Sequence, residues 1–145
     1  MRLAIEQAQQ AEKIGEVPIG AVLVRDGAVI AVGRNTRETA PAATGHAEIM
    51  AIDAACKQLN AWRLSDCTLY VTLEPCLMCA GAIYQARIAR VVFGAHDPKA
   101  GATGSLFNIH EDKRLNHNFE VQGGVLGSEC GTMLKEFFAA RRQSL

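Results

Sequence analysis

The chain has 145 residues, and its hydrophobic fraction of 49% is enough to bury the core of one domain without staples. Its 15 basic and 15 acidic side chains balance, which lends no support to a nucleic-acid partner; the best local basic patch is Lys135, Arg141 and Arg142, which a solvated helix end explains equally well. Five cysteines, an odd number, point to a reducing compartment, and no stretch approaches the roughly 20 apolar residues of a membrane span, so a cytoplasmic protein without a membrane partner is expected.

Leu3, Ile5, Ala8, Ala11 and Ile14 form a helical apolar stripe that ends at Gly15. Ile19 to Val24 and Ala28 to Val32 are apolar runs on either side of Asp26-Gly27, a hairpin signal. Residues 34–45 are polar and turn-rich and read as a loop. A second helix opens near His46 and runs through Ile49, Met50 and Ile52 towards Leu59. Thr68 to Leu73 reads as a third strand, and Pro75 is expected at the first position of a third helix, where its missing N–H does no harm. Arg90 to Gly94 is a fourth strand. Residues 96–118 are irregular, with room for a short helix. A weak strand over Phe119 to Val121 precedes a last helix from about Ser128 to Arg142. This order predicts an α/β sandwich, one mixed sheet with helices on both faces.

Two segments in this frame carry chemistry: His46-Ala47-Glu48 and Pro75-Cys76-Leu77-Met78-Cys79. One histidine and two cysteines supply three protein ligands, the number a catalytic zinc uses when its fourth position stays open. Cys76 and Cys79 stand i, i+3 at a helix start, so both sulfurs point to one side, and a helix N-terminus favours thiolates. Three other readings compete. The C-x-x-C pair could be a redox dithiol. The cluster could be a structural zinc site, which needs a fourth protein ligand. Cys56 lies about 15 Å along the helix from His46 and cannot supply it, while Cys67 and Cys130 have no ligand spacing. Or the three residues could be unrelated core side chains. Glu48 could supply an acid/base, but i and i+2 fall on opposite sides of an ideal helix. It reaches the ion only if His46 sits at the very end of the helix.

H-x-E with P-C-x-x-C is the pattern of the zinc-dependent nucleoside and nucleobase deaminases. The chain resembles the bacterial tRNA-specific adenosine deaminases of the cytidine deaminase-like superfamily over nearly its whole length. The likeness runs through Glu16 to Val22, Gly45 to Ala51, Thr68 to Ile83 and Arg90 to Ala95. It continues in Gly104-Ser105-Leu106, Asn116-His117 and the tail Phe137 to Gln143. The resemblance implies a three-layer α/β/α sandwich with a mixed five-stranded sheet. It implies one zinc per subunit on His46, Cys76 and Cys79, and Glu48 as proton shuttle for a zinc-activated water. The reaction implied is hydrolytic deamination of adenosine to inosine at the wobble position of a tRNA anticodon, with the anticodon stem-loop as partner.

By the same resemblance Asn35 hydrogen-bonds the target nucleotide and Ala47 joins the substrate-binding set. Asp97 and Lys99, beside His96, lie along the RNA backbone, and Arg141 and Arg142 contact the anticodon arm. Phe137 and Phe138 fit either the site wall or core packing. A homodimer is implied, with Ala80, Ile83 and Ala86 suited either to the subunit contact or to the core. Two alternatives remain within this reading: deamination of a free nucleobase or nucleoside (guanine, cytosine or cytidine), and a non-catalytic, zinc-stabilised RNA-binding module. A thiol oxidoreductase built on Cys76 and Cys79 is the rival outside it.

Overall fold

The computed structural model describes residues 1–144. Helix α1 spans Arg2–Lys13, followed by strands β1 (Gly20–Arg25) and β2 (Ala28–Arg34). Helix α2 spans Ala47–Leu59, β3 Cys67–Leu73, α3 Leu77–Ala86 and β4 Arg90–Ala95. A 3-10 turn at Ile109–Glu111 interrupts the long irregular segment before β5 (Glu120–Gln122) and α4 (Gly127–Gln143). The sheet order is β2-β1-β3-β4-β5; β1 runs antiparallel to both neighbours, while β3, β4 and β5 are parallel. The expected mixed five-stranded sheet is therefore present.

The hairpin forms because Asp26 and Gly27 both take positive φ, 51° and 76°, the two-residue geometry that matches strand twist. Side chains alternate across the sheet. Ala21, Leu23, Leu69, Val71, Val91 and Phe93 join Ala51, Ile52, Ile83 and Ile88 in one buried core beneath α2 and α3. The opposite face, carrying Gly20, Val22, Val92 and Gly94, receives α1 and α4. Helices thus cover both faces. Ala80, Ile83 and Ala86 are buried within the chain, at no more than 5% exposed, so they belong to the core rather than to a subunit contact. Among the described residues no helix is long and apolar enough to cross a membrane.

Two expectations shift. Pro75 lies outside α3: Cys76 is the extended N-cap (φ −78°, ψ 179°), and Ala80 N–H donates to its carbonyl at 2.8 Å. The Pro75 carbonyl instead accepts Ala102 N–H at 2.8 Å, which keeps the chain extended there. The weak strand moves one residue, to Glu120–Gln122, because its register on β4 pairs Arg90 with Glu120, and Phe119 is buried just ahead of it.

Candidate active site

The parallel strands deliver their carboxyl ends to one side of the sheet, where crevices form in open α/β folds. β3 runs into Glu74-Pro75-Cys76, β4 into His96-Asp97, and β2 into Asn35. α1 stops beneath them in a Schellman turn, with Gly15 at φ +82° and Glu16 N–H donating to the Ala11 carbonyl at 3.0 Å. That turn sends the Glu16 side chain towards the loop after β2.

His46, Cys76 and Cys79 converge at the starts of α2 and α3, their ligand atoms all within 4.8 Å of one another. His46 Nδ1 lies 3.6 Å from Cys76 Sγ and 3.4 Å from Cys79 Sγ. Tetrahedral zinc with ordinary Zn–N and Zn–S bonds puts neighbouring ligands about 3.5 Å apart, so the donor set fits zinc in chemistry and spacing. Among the described residues no fourth His, Cys, Asp or Glu joins the cluster, which suits an open metal site and not a closed structural one. The Cys79 thiol donates to Cys76 and holds it down to about 3, helped by His46, while the same bond and burial push Cys79 up. His46 is raised chiefly by its bond to Cys76.

His46 is the N-cap of α2, with extended backbone (φ −88°, ψ 149°), so the ideal-helix objection to Glu48 does not apply. Glu48 is 4% exposed. Burial raises its carboxyl to about 7, against the opposing pull of His46 and Cys79. It is poised to take and release a proton near neutral pH.

A cleft of about 670 Å³ opens over this cluster, and His46 is the cluster residue that forms its wall. Asn35 lines it and is 6% exposed; its Oδ1 accepts Arg37 N–H at 3.3 Å and its Nδ2 donates to the Val17 carbonyl at 3.5 Å. His96, Asp97 and Lys99 form one lip. Asp97 Oδ1 accepts Lys99 N–H at 3.1 Å and Ala100 N–H at 3.2 Å, so that carboxylate shapes its own turn. From α4, Lys135, Phe138 and Arg141 form the far wall. Phe138 is 42% exposed and belongs to the wall; Phe137 stacks edge-on against it and carries the Arg141 guanidinium 5.1 Å above its ring. Arg142 stands outside the cleft in an adjoining groove of about 430 Å³ that shares Lys99, Lys135 and Phe138 with it. Ala47 is fully buried in the core and does not line the cleft.

Three contributors escaped the sequence reading. Arg37 lines the cleft from a loop that looked merely polar. Glu16, 1% exposed, accepts Glu38 N–H at 3.0 Å and Thr39 N–H at 2.6 Å and so anchors that loop. Glu74, 2% exposed, accepts backbone N–H groups from Asp97, Thr103 and Ser105 and anchors the opposite lip. For the two glutamates the sequence signal was a lone acidic residue beside an apolar strand, within the stretches that carry the family likeness.

Comparison with known proteins follows the same lines. The family model of MafB19-like deaminases matches residues 1–142. A tRNA-specific adenosine deaminase of Bacillus subtilis is 54% identical over 99% of this chain and 89% of its own length. One from Haemophilus influenzae is 50% identical over 99% and 83%. A solved structure from work on A-to-I editing by tRNA:A34 deaminases at the wobble position of transfer RNA superposes with a TM-score of 0.89. It is 46% identical to this chain over 92% of this chain and 97% of that one.

Proposed function

The chain belongs to the tRNA-specific adenosine deaminase family within the MafB19-like deaminases, and from that premise we propose that it hydrolyses adenosine to inosine at the wobble position of a tRNA anticodon, releasing ammonia. The observation that carries this reading is the basic cleft over the His46, Cys76 and Cys79 cluster. Arg37, Lys99, Lys135 and Arg141 gather there on a chain of zero net charge. The carboxylates of Glu16 and Asp97 at its edge accept backbone N–H groups, and with Glu38, which also lines the cleft, they set three carboxylates against these four cations. An anticodon loop offers a base already unstacked and phosphates on either side, the ligand such a cleft suits.

One zinc per subunit, held by His46 Nδ1 and the two sulfurs, would supply the Lewis acidity that makes a water nucleophilic at neutral pH. Glu48 moves the protons at its carboxylate. It takes one from the attacking water, delivers it to purine N1 so that C6 becomes electrophilic, and then assists protonation of the departing amine. Asn35 orients the target nucleotide through its amide, and Arg141, Lys99 and, further out, Arg142 hold the flanking phosphates. Ala47, fully buried beside His46, contributes backbone at most. The protein works in the cytoplasm as a homodimer. Met50, Leu77, Leu106 and Phe107 are exposed apolar residues on α2, α3 and the loop beyond β4 that are available to a subunit contact.

A substrate panel tests the reading. An anticodon stem-loop with wobble adenosine, free adenosine, guanine and cytidine are offered in parallel, with products identified by mass. Turnover of the stem-loop alone is expected. Turnover of a free base with the stem-loop untouched would move the chain to nucleobase deamination.

A further inference from the structure

We propose that Glu74 is a positioning residue for substrate: its buried carboxylate fixes the loop of residues 96–105 so that Asp97 and Lys99 stand at the lip of the cleft, in register with the metal-site turn. This rests on the deaminase reading above.

The Glu74 side chain is fully buried, no lysine or arginine pairs with it among the described residues, and the exposed His96 ring lies 3.7 Å away. A buried carboxylate without a close cation is tolerated only when hydrogen bonds fill its oxygens, and an apolar residue of similar size commonly serves stability as well or better. A charge kept in such a place has a geometric use. Here Oε1 accepts Asp97 N–H at 3.0 Å and the Ser105 hydroxyl, while Oε2 accepts Thr103 N–H at 3.2 Å and Ser105 N–H at 3.0 Å. Both ends of the loop are gathered on one group. The middle is held too, since a Cβ on Gly101 would overlap the carboxylate itself.

The other side of Glu74 is tied to the catalytic turn. Its N–H donates to the Ala95 carbonyl at 2.9 Å, and the next residue, Pro75, accepts Ala102 N–H at 2.8 Å just before Cys76. The lip and the turn carrying Cys76 and Cys79 therefore share one anchor. Loosening it displaces the Asp97 turn and with it Lys99, which holds a flanking phosphate, more than Glu48, which meets the reacting base.

The test is Glu74→Gln, which keeps the shape but turns an amide NH2 towards N–H donors. Amide exchange at Asp97, Thr103 and Ser105 is expected to rise about tenfold or more. KM for the anticodon stem-loop should rise about tenfold while kcat stays within about threefold, with zinc content unchanged. Ser105→Ala removes one donor and should give a smaller KM rise. Wild-type exchange together with wild-type KM would overturn the proposal, as would loss of zinc with collapse of kcat, which would assign Glu74 to the metal turn alone. If Glu74→Gln does not fold, Gly101→Ala forces the loop off the carboxylate from the other side, and an unchanged KM there overturns the proposal equally. A wild-type protein that ignores the stem-loop would sink the functional reading instead, and the exchange measurement, which needs no substrate, would then decide the anchoring by itself.

Discussion

Glu48 can face the metal cluster because the residue two before it is not helical. His46 is extended at the N-cap of α2, and the Glu48 carboxylate hydrogen-bonds Cys79 of the cluster. Burial then holds that carboxyl near pH 7, where it can be base and acid within one turnover. Glu48→Gln should retain one zinc per chain and lose about 10²–10⁴ in kcat, read by metal analysis and stem-loop turnover. Cys79→Ser should lose both zinc and turnover, because a fully buried sulfur that lies 3.4 Å from His46 Nδ1 has no substitute nearby. Zinc retained at wild-type level in Cys79→Ser would contradict the ligand assignment.

At the scale of elements, close packing fixes where the helices sit. Gly20 has no room for a Cβ, which would overlap the backbone of Ala4 and Ala8 on α1, and at Gly94 a Cβ would fall 2.5 Å from Cys130 Sγ on α4. Gly20→Ala should destabilise the protein by about 3 kcal/mol in urea unfolding, an overpacking cost against backbone that cannot give way. α4 then brings Lys135 and Arg141 to the cleft. Alanine at either should raise KM for the stem-loop and lower the log–log salt slope of binding by about 0.7–0.9, with kcat little changed. Much of this was legible from local pattern: the Asp26-Gly27 hairpin, the helix opening at His46, and the i, i+3 cysteines all follow from short-range rules. The start of α3 was not, because Pro75 is held extended by Ala102, far along the chain. The lip anchors were not legible for the same reason. Glu16 and Glu74 find their donors 22 to 31 residues away, a distance over which neither periodicity nor turn chemistry speaks.

For the molecule as a whole, zero net charge still leaves Arg37, Lys99, Lys135 and Arg141 along the cleft that opens over the His46, Cys76 and Cys79 cluster. The anchors that shape that cleft also make stability depend on pH. Burial alone would raise Glu16, but the donors from Thr39 and Glu38 outweigh it and hold the carboxyl below its ordinary value of 4.5. A carboxyl depressed in the folded state contributes stability above its unfolded value and loses it as pH falls through the folded one. The stability gap between wild type and Glu16→Gln should therefore be full at neutral pH and shrink progressively below about pH 4.5, read from urea midpoints across that range. A gap that does not change with pH would contradict a charged anchor. The central claim, hydrolytic deamination of a wobble adenosine, is tested most directly by incubating the zinc-loaded protein with an anticodon stem-loop in ¹⁸O-labelled water and identifying the digested nucleosides by mass. The account predicts inosine at the wobble position carrying the heavy oxygen at C6; an unchanged adenosine there, with label appearing instead in a free nucleobase or nucleoside offered alongside, would contradict it.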